Sequence, residues 1–443
     1  LPETKHFTQS CFWGLCKTES VWIGIENEKG REMKSKLRFI VAAMLTLALC
    51  FALVACNGGD DTTSSAPADA PTDGKTTFAI GFGGPLTQGS VGFGQGALRA
   101  TQLAVKQANE SDQARDLNIE FRVVEADDQS DPTRAPVVAN ALVSERDLVG
   151  VVGHFNSAVT EPAGLVYNEA GVIQISYGST RPDLTHMGRD NFFRTCATDA
   201  LQGPTAAQSA WDLGFRSAAL IDDSSTYGQG LVEAFTTKWI ELGGEVLVEE
   251  STQQGQSDFG PVVTRIRAAG PDFVFFAGTG DATTGAGGLF ARQLKDGGVE
   301  APMVGGDGIQ DQVFIDEAGA TGAEGTIATK PGMPIEDMPE GAAFLQAYEA
   351  EFPGEAAGGF DAFAFDAANA IINAVFEVAA DKGAAEVATP AGRRAIIEAV
   401  HNINFNGVTG PVSFDEFGDN NNAIITTFLV QDGEWIAHPE IHP

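Results

Sequence analysis

Two apolar runs of strand length, 148–152 and 172–175, each stop at a polar elbow of small residues, with a helix-like segment between them. The first run meets Gly153, His154, Phe155, Asn156 and Ser157; the second meets Ser176, Tyr177, Gly178, Ser179 and Thr180. This spacing predicts a strand–helix–strand unit. In parallel α/β sheets ligands sit at the carboxyl ends of the strands, and both ends here carry hydroxyl residues beside glycine. Ser157 also opens the helical segment, where free backbone N–H groups and the helix dipole favour an anion. The stretch 148–185 therefore reads as a grip on one end of a small anionic or zwitterionic ligand.

The same alternation runs through most of the chain. Upstream come a strand at 77–82, a glycine-rich loop at 83–96, a helix at 97–109, a strand at 119–125, the acidic elbow 126–132 and a helix at 133–145. A second series has strands at 217–221, 245–249, 272–277 and 301–304, with helices at 231–242, 259–269 and 286–295. Its elbows are 222–230, 278–285 and GGDG at 305–308. The halves repeat one architecture without repeating a sequence, which predicts an α/β fold of two doubly wound lobes. A length of 443 residues is enough for two cores. The chain then gives a linker strand (326–334), helices at 341–352, 360–380 and 391–401, and strands at 407–414, 423–430 and 434–437. That order extends neither lobe in series, so the chain is expected to recross between them.

The beginning of the chain reads differently. Residues 1–32 lack periodicity and read as an upstream extension. From Met33 a basic start (Lys34, Lys36, Arg38) leads into the apolar stretch 39–55 and then Cys56. The length borders on a membrane span, but LVAC at 53–56 resembles a bacterial lipoprotein signal whose cysteine is acylated. On that reading 33–55 is a signal peptide, Cys56 carries lipid, and 56–75 is a flexible tether to a membrane surface. The five cysteines form no CxxC pair and no Cys/His cluster, so neither a zinc site nor a disulfide framework is expected.

Composition narrows the function. A formal net charge of −33 argues against nucleic acid as a partner, because phosphate binding needs a basic surface. The glycine-rich loop lacks both the Gly-Lys-Ser/Thr ending of a P-loop and the dinucleotide spacing, so no nucleotide cofactor is expected. Asp127 and Asp128 find no third convergent acid for a metal, and Asp131 before Pro132 reads as a helix N-cap. No serine stands in a GxSxG elbow and no histidine has a companion set, so catalysis is not expected either.

Eight short motifs carry a resemblance that spans roughly 77–435: ADDQSDP followed by VVAN, VVGHFNSAVTEPA, ISYGSTRPDLT, RTCATDALQGPTAA, DDSSTYGQGL, PDFVFFAG, TKPGMP and GPVSFDEFGD. In this order they resemble the periplasmic leucine/isoleucine/valine-binding protein family, the solute receptors of ABC importers. The resemblance implies a bilobed fold with three hinge crossings, lobe I at 76–196 plus 330–408 and lobe II at 197–329 plus 409–443. It implies a monomer that closes on an amino acid and presents it to a permease and ATPase complex. A ligand-sensing receptor domain is the alternative, as is a carrier of amides, urea or small carboxylates. By the same resemblance Ser157 and Thr180 hold the ligand's α-carboxylate, with backbone help near Gly178 and Ser179. Asp307 faces the α-ammonium, Tyr227 helps close the site, and Phe93, Phe155 and Phe360 form pocket walls. Thr279 stands where close relatives have a second tyrosine, while Tyr177 and Arg181 add bulk and charge beside the second elbow. Ser130 and Asn156 occupy the places of two cysteines that some members link.

Overall fold

The computed structural model describes residues 74–438 and 441. Cys56, the apolar stretch before it and the tether through residue 73 lie outside the described residues.

Five strands form one all-parallel sheet: β1 (Thr76–Gly84), β2 (Ile119–Asp127), β3 (Leu148–Gly153), β4 (Ile173–Ser176) and β5 (Phe192–Arg194), in the order β2-β1-β3-β4-β5. The order reverses between β1 and β3, which opens a crevice at their carboxyl ends. Strand β3 is buried along its whole length, as a parallel strand covered on both faces must be. One cover is the helix Asp361–Lys382, apolar and long enough to cross a membrane by composition, but packed here as a core helix. Its Ile371 reaches β3 because Gly150 has no side chain; a Cβ there would stand 2.9 Å from the isoleucine. Truncating such a buried isoleucine costs about 2–5 kcal/mol.

The second sheet has seven strands. β6 (Ser217–Asp222), β7 (Glu245–Ser251), β8 (Phe273–Ala277), β9 (Met303–Gly305) and β10 (Ile327–Pro331) run parallel, and β13 (Ile425–Gln431) and β14 (Glu434–Ala437) complete it antiparallel. Its order, β14-β13-β10-β9-β8-β6-β7, reverses between β6 and β8. The composition of each strand follows its position. Central β8 (FVFFA) is buried throughout, whereas the edge strand β7 (EVLVEES) alternates exposed and half-buried residues.

Between the two sheets the chain passes three times, after β5, after β10 and before β13. The stretch expected as one strand at 407–414 is a hairpin, β11 (Phe405–Gly407) with β12 (Gly410–Val412), because Gly410 takes a positive φ that turns the chain back. Val412 and Phe414 pack in the first core, so the last crossing follows Phe414. Lys330 and Pro331 pair within the second sheet, so the middle crossing follows them.

Three local expectations also change. The glycine-rich loop is only 85–90, since β1 continues to Gly84 and a helix starts at Val91. Gly94 and Gly96 lie inside that helix, where a Cβ would collide with the Pro85 carbonyl and the Asp361 carboxylate. Asp131 does not cap the helix Ala135–Val143; its carboxylate holds the N–H and hydroxyl of Thr133 in the turn before it. The helix Gln312–Ala323 was not expected; Asp311 caps it by accepting from the Phe314 N–H at 2.8 Å.

Candidate functional site

Both sheets direct their carboxyl ends toward the same small cavity, about 20 Å³. Phe155, Asn156, Ser157 and Gly178 line it from the first lobe, and Tyr227, Thr279, Asp307 and Gly308 from the second. A larger space of about 160 Å³ adjoins it, sharing Asn156, Ser157, Tyr227 and Thr279 and reaching Ser130, Asp223 and Gln254.

Buried hydroxyls and a buried arginine lock the two first-lobe elbows together. The His154 carbonyl accepts from Ser176 Oγ at 2.7 Å, and the Phe155 carbonyl accepts from Ser179 Oγ at 2.9 Å. The His154 ring lies between Asp128 (2.6 Å) and the Tyr167 hydroxyl (3.0 Å), so Asp128 serves this anchor and the turn at Ser130. From below, Arg194 donates to the carbonyls of Ser179 (2.8 Å), Arg181 (2.7 Å) and Pro182 (3.2 Å), and pairs with Asp419 at 2.6 Å. With the Thr185 hydroxyl at 3.0 Å, five loop acceptors converge on one guanidinium, which fixes the second elbow's path.

Ser157 is the first residue of the helix Ser157–Ala170, flanked by Asn156, and neither side chain caps the helix. The Ser157 hydroxyl is buried and accepts from the Arg181 N–H at 3.3 Å. Thr180 is buried too, and its hydroxyl has no hydrogen-bond partner among the described residues. Thr180 is not among the residues that line either cavity, and its hydroxyl stands near the Asp199 carboxyl.

From the second lobe, Asp307 follows β9 and is buried, with its carboxylate accepting from the Tyr227 hydroxyl at 3.0 Å. Burial pushes its carboxyl up to about 6, against the hydrogen bonds of Gln202 and Tyr227. Asp199 stands close by at the start of the helix Asp199–Asp212, fully buried, with neither carboxyl oxygen in a hydrogen bond. Burial pushes it up to about 8, and the charge of Asp307 adds to the rise. Its backbone N–H donates to the Thr180 carbonyl at 2.8 Å, across the first crossing. On the cavity wall Asp307 offers a carboxylate that suits a positively charged group, and Ser157 a hydroxyl that suits an anionic one.

The remaining expected residues separate into four groups. Gly178, Thr279, Tyr227 and Phe155 line the cavity. Phe93 and Phe360 stand behind Phe155, with ring centroids 4.7 and 5.2 Å from its own, and form an aromatic block. The Ser179 hydroxyl is committed to Thr160 at 2.6 Å and to the Phe155 carbonyl, so that side chain is a structural tie. Tyr177 and Arg181 add nothing to the cavity wall. Tyr177 is buried between Phe82 and Phe155, and Arg181 pairs with Glu161 and Asp183 outside the cavity. Asp199 and Arg194 escaped the sequence reading. Both stand in RTCATD, where an arginine and an aspartate flank a chain crossing.

The fold and site define a two-lobed α/β binding protein of type I, with polar groups from both lobes meeting in one cleft. The chain belongs to the periplasmic binding protein family, whose model matches residues 77–433. This is a family of solute-binding proteins that work outside the cytoplasmic membrane. An amino acid binding protein of Pseudomonas aeruginosa is 34% identical over 293 residues, 66% of this chain and 74% of that protein. Leu/Ile/Val-binding protein homolog 1 of Brucella suis is 32% identical over 346 residues, 77% of this chain and 86% of its own. Among solved structures, the branched-chain amino acid transporter substrate-binding protein LivJ of Streptococcus pneumoniae, in complex with isoleucine, superposes with a TM-score of 0.71 at 26% identity. That match covers 82% of this chain and 98% of the other.

Proposed function

We propose that this protein captures an amino acid between its lobes and delivers it to an ABC importer, as a monomer held to the membrane by lipid on Cys56. The observation that carries the reading is the pairing of opposite chemistries across the cleft. Ser157, Thr180 and the backbone near Gly178 face an α-carboxylate from the first lobe, and Asp307 faces an α-ammonium from the second. Asp199 joins Asp307 as a second acceptor, and Tyr227 fixes the Asp307 carboxylate. Phe155, backed by Phe93 and Phe360, forms the apolar wall, and Thr279 leaves the opposite wall short. The relatives named for amino-acid binding support the ligand class.

A ligand that bridges both lobes stabilises the closed arrangement, and closure is what a transporter can read. A thermal-shift panel of amino acids, amides, urea and small carboxylates tests the reading. Stabilisation by at least one amino acid is expected; a response to an amide or aromatic acid with none to any amino acid overturns it. Mass spectrometry of the native protein tests the anchor, with a diacylglyceryl cysteine at 56 expected and a bare cysteine contradicting it.

A further inference from the structure

The cleft carries more negative charge than one α-ammonium answers. Asp307 lines the small cavity, Asp223 lines the larger space beside it, and no lysine, arginine or histidine is among the residues lining either. Asp223 follows β6, is fully buried, and accepts from the Ser225 N–H at 3.0 Å. Its second oxygen makes no close hydrogen bond, and its other polar neighbours, the Ser225 hydroxyl and the Thr279 N–H, are neutral donors too. Burial pushes its carboxyl up to about 6, with the charge of Asp222 adding to the rise, which leaves it mostly ionised at neutral pH. Cations on neighbouring elements are matched elsewhere. Arg181 pairs with Glu161 and Asp183, and Arg194 with Asp419. Lys330, whose charge Asp307 feels, stands over the Phe360 ring behind the aromatic wall and lines neither space.

The larger space is also polar. Asn156, Ser157, Tyr227 and the short Thr279 border both spaces, so the two join. Apart from Pro132 and Ala158, every side chain lining the larger one carries a hydroxyl, carboxamide or carboxylate group. Asn156 reaches it from the first lobe, and its buried Oδ1 has no hydrogen-bond partner among the described residues. An aliphatic side chain there would keep water from these groups and offer nothing in exchange. A cationic one would give a carboxylate and a carboxamide oxygen charge-assisted hydrogen bonds.

We propose that the larger space receives the ligand's side chain, and that the site prefers an amino acid with a cationic side chain, an ammonium or a guanidinium, over a neutral one. Asp223 supplies the counter-charge from the second lobe and Asn156 an acceptor from the first. The inference rests on the amino-acid reading above and leaves the α-carboxylate and α-ammonium with the partners given there.

Calorimetric titration of the wild type, Asp223→Asn and Asn156→Ala with L-lysine, L-arginine, L-glutamine and L-leucine at neutral pH tests it. The wild type is expected to bind lysine or arginine at least tenfold more tightly than glutamine and leucine, the two arms telling ammonium from guanidinium. Asp223→Asn keeps an acceptor for the Ser225 N–H and should lose most of that preference while keeping glutamine affinity. Asn156→Ala removes a carboxamide oxygen that the fold does not use, and should weaken the cationic ligands more than leucine. A wild type that binds glutamine or leucine as tightly as both basic amino acids overturns the proposal even if a variant fails to fold, as do variants that weaken every ligand equally or leave the preference intact. In those cases amino-acid binding itself stands. Absence of binding by every amino acid overturns both readings.

Discussion

The Tyr227 hydroxyl donates to the Asp307 carboxylate at 3.0 Å while accepting from the Gly308 N–H at 3.2 Å. Tyr227 and Asp307 follow different strands of the second sheet, and this bond fixes the carboxylate where it faces the first lobe. Replacing Asp307 by Asn keeps the size and removes the charge. Amino-acid affinity should fall by about 2–5 kcal/mol, the cost of losing one partner of a buried charge pair. Calorimetric titration measures it, and unchanged affinity for every zwitterionic ligand refutes the assignment.

Asp199 and Asp307 make a prediction in pH. An unfolded aspartate titrates near 3.9, whereas burial holds these two at about 8 and about 6 in the folded chain. Between those limits the folded state binds more protons than the unfolded one, so their contribution to stability falls as pH rises from about 4 to about 8. A ligand ammonium favours their ionised forms, so affinity should rise over the same range. Melting curves with and without amino acid, from pH 4.5 to 8.5, should diverge, and Asp199→Asn should reduce the divergence. A constant ligand-induced shift across that range contradicts the pairing.

Thr180 separates binding from folding. Its hydroxyl makes no close hydrogen bond among the described residues and has the Asp199 carboxyl as its polar neighbour, so Thr180→Val removes a group on which the unliganded fold depends little. Binding should weaken by about 1.5–3 kcal/mol, the range for a hydrogen bond to a charged group. The melting temperature without ligand should hold or rise. A lowered melting temperature with unchanged affinity would make Thr180 a structural residue only.

Arg194 should behave in the opposite way. Removing a buried guanidinium that serves three carbonyls and Asp419 takes from each its charged donor, leaving only longer or neutral contacts from Thr185, Leu184 and Cys196. Arg194→Met should cost about 3–5 kcal/mol of stability in urea denaturation. A loss below about 1 kcal/mol would show that the second elbow does not depend on it.

Much of this arrangement was legible in the residues because strands, helices and elbows alternate with clear apolar periods. The elbows after 152, 175 and 304 gave Ser157, Gly178 and Asp307, which line one cavity. What stayed hidden depends on long-range packing. Gly94 and Gly96 looked like loop residues because nothing local reveals the Pro85 carbonyl and Asp361 pressing on them. The tie made by the Ser179 hydroxyl was hidden too, since its bond to Thr160 forms only once two strands lie side by side. Asp199 carries an ordinary charge in sequence; only its complete burial sets it apart.

The central claim is that the two opposite charges of one ligand are held from different lobes, the carboxylate by hydroxyl and N–H groups of the first and the ammonium by Asp307 of the second. The most direct measurement titrates the wild-type protein with its best-bound amino acid and with the two analogues that lack either the α-amino or the α-carboxyl group. Each analogue is predicted to bind at least a hundredfold more weakly, about 2.7 kcal/mol or more. An analogue lacking its α-amino group that binds as tightly as the amino acid itself would contradict the account.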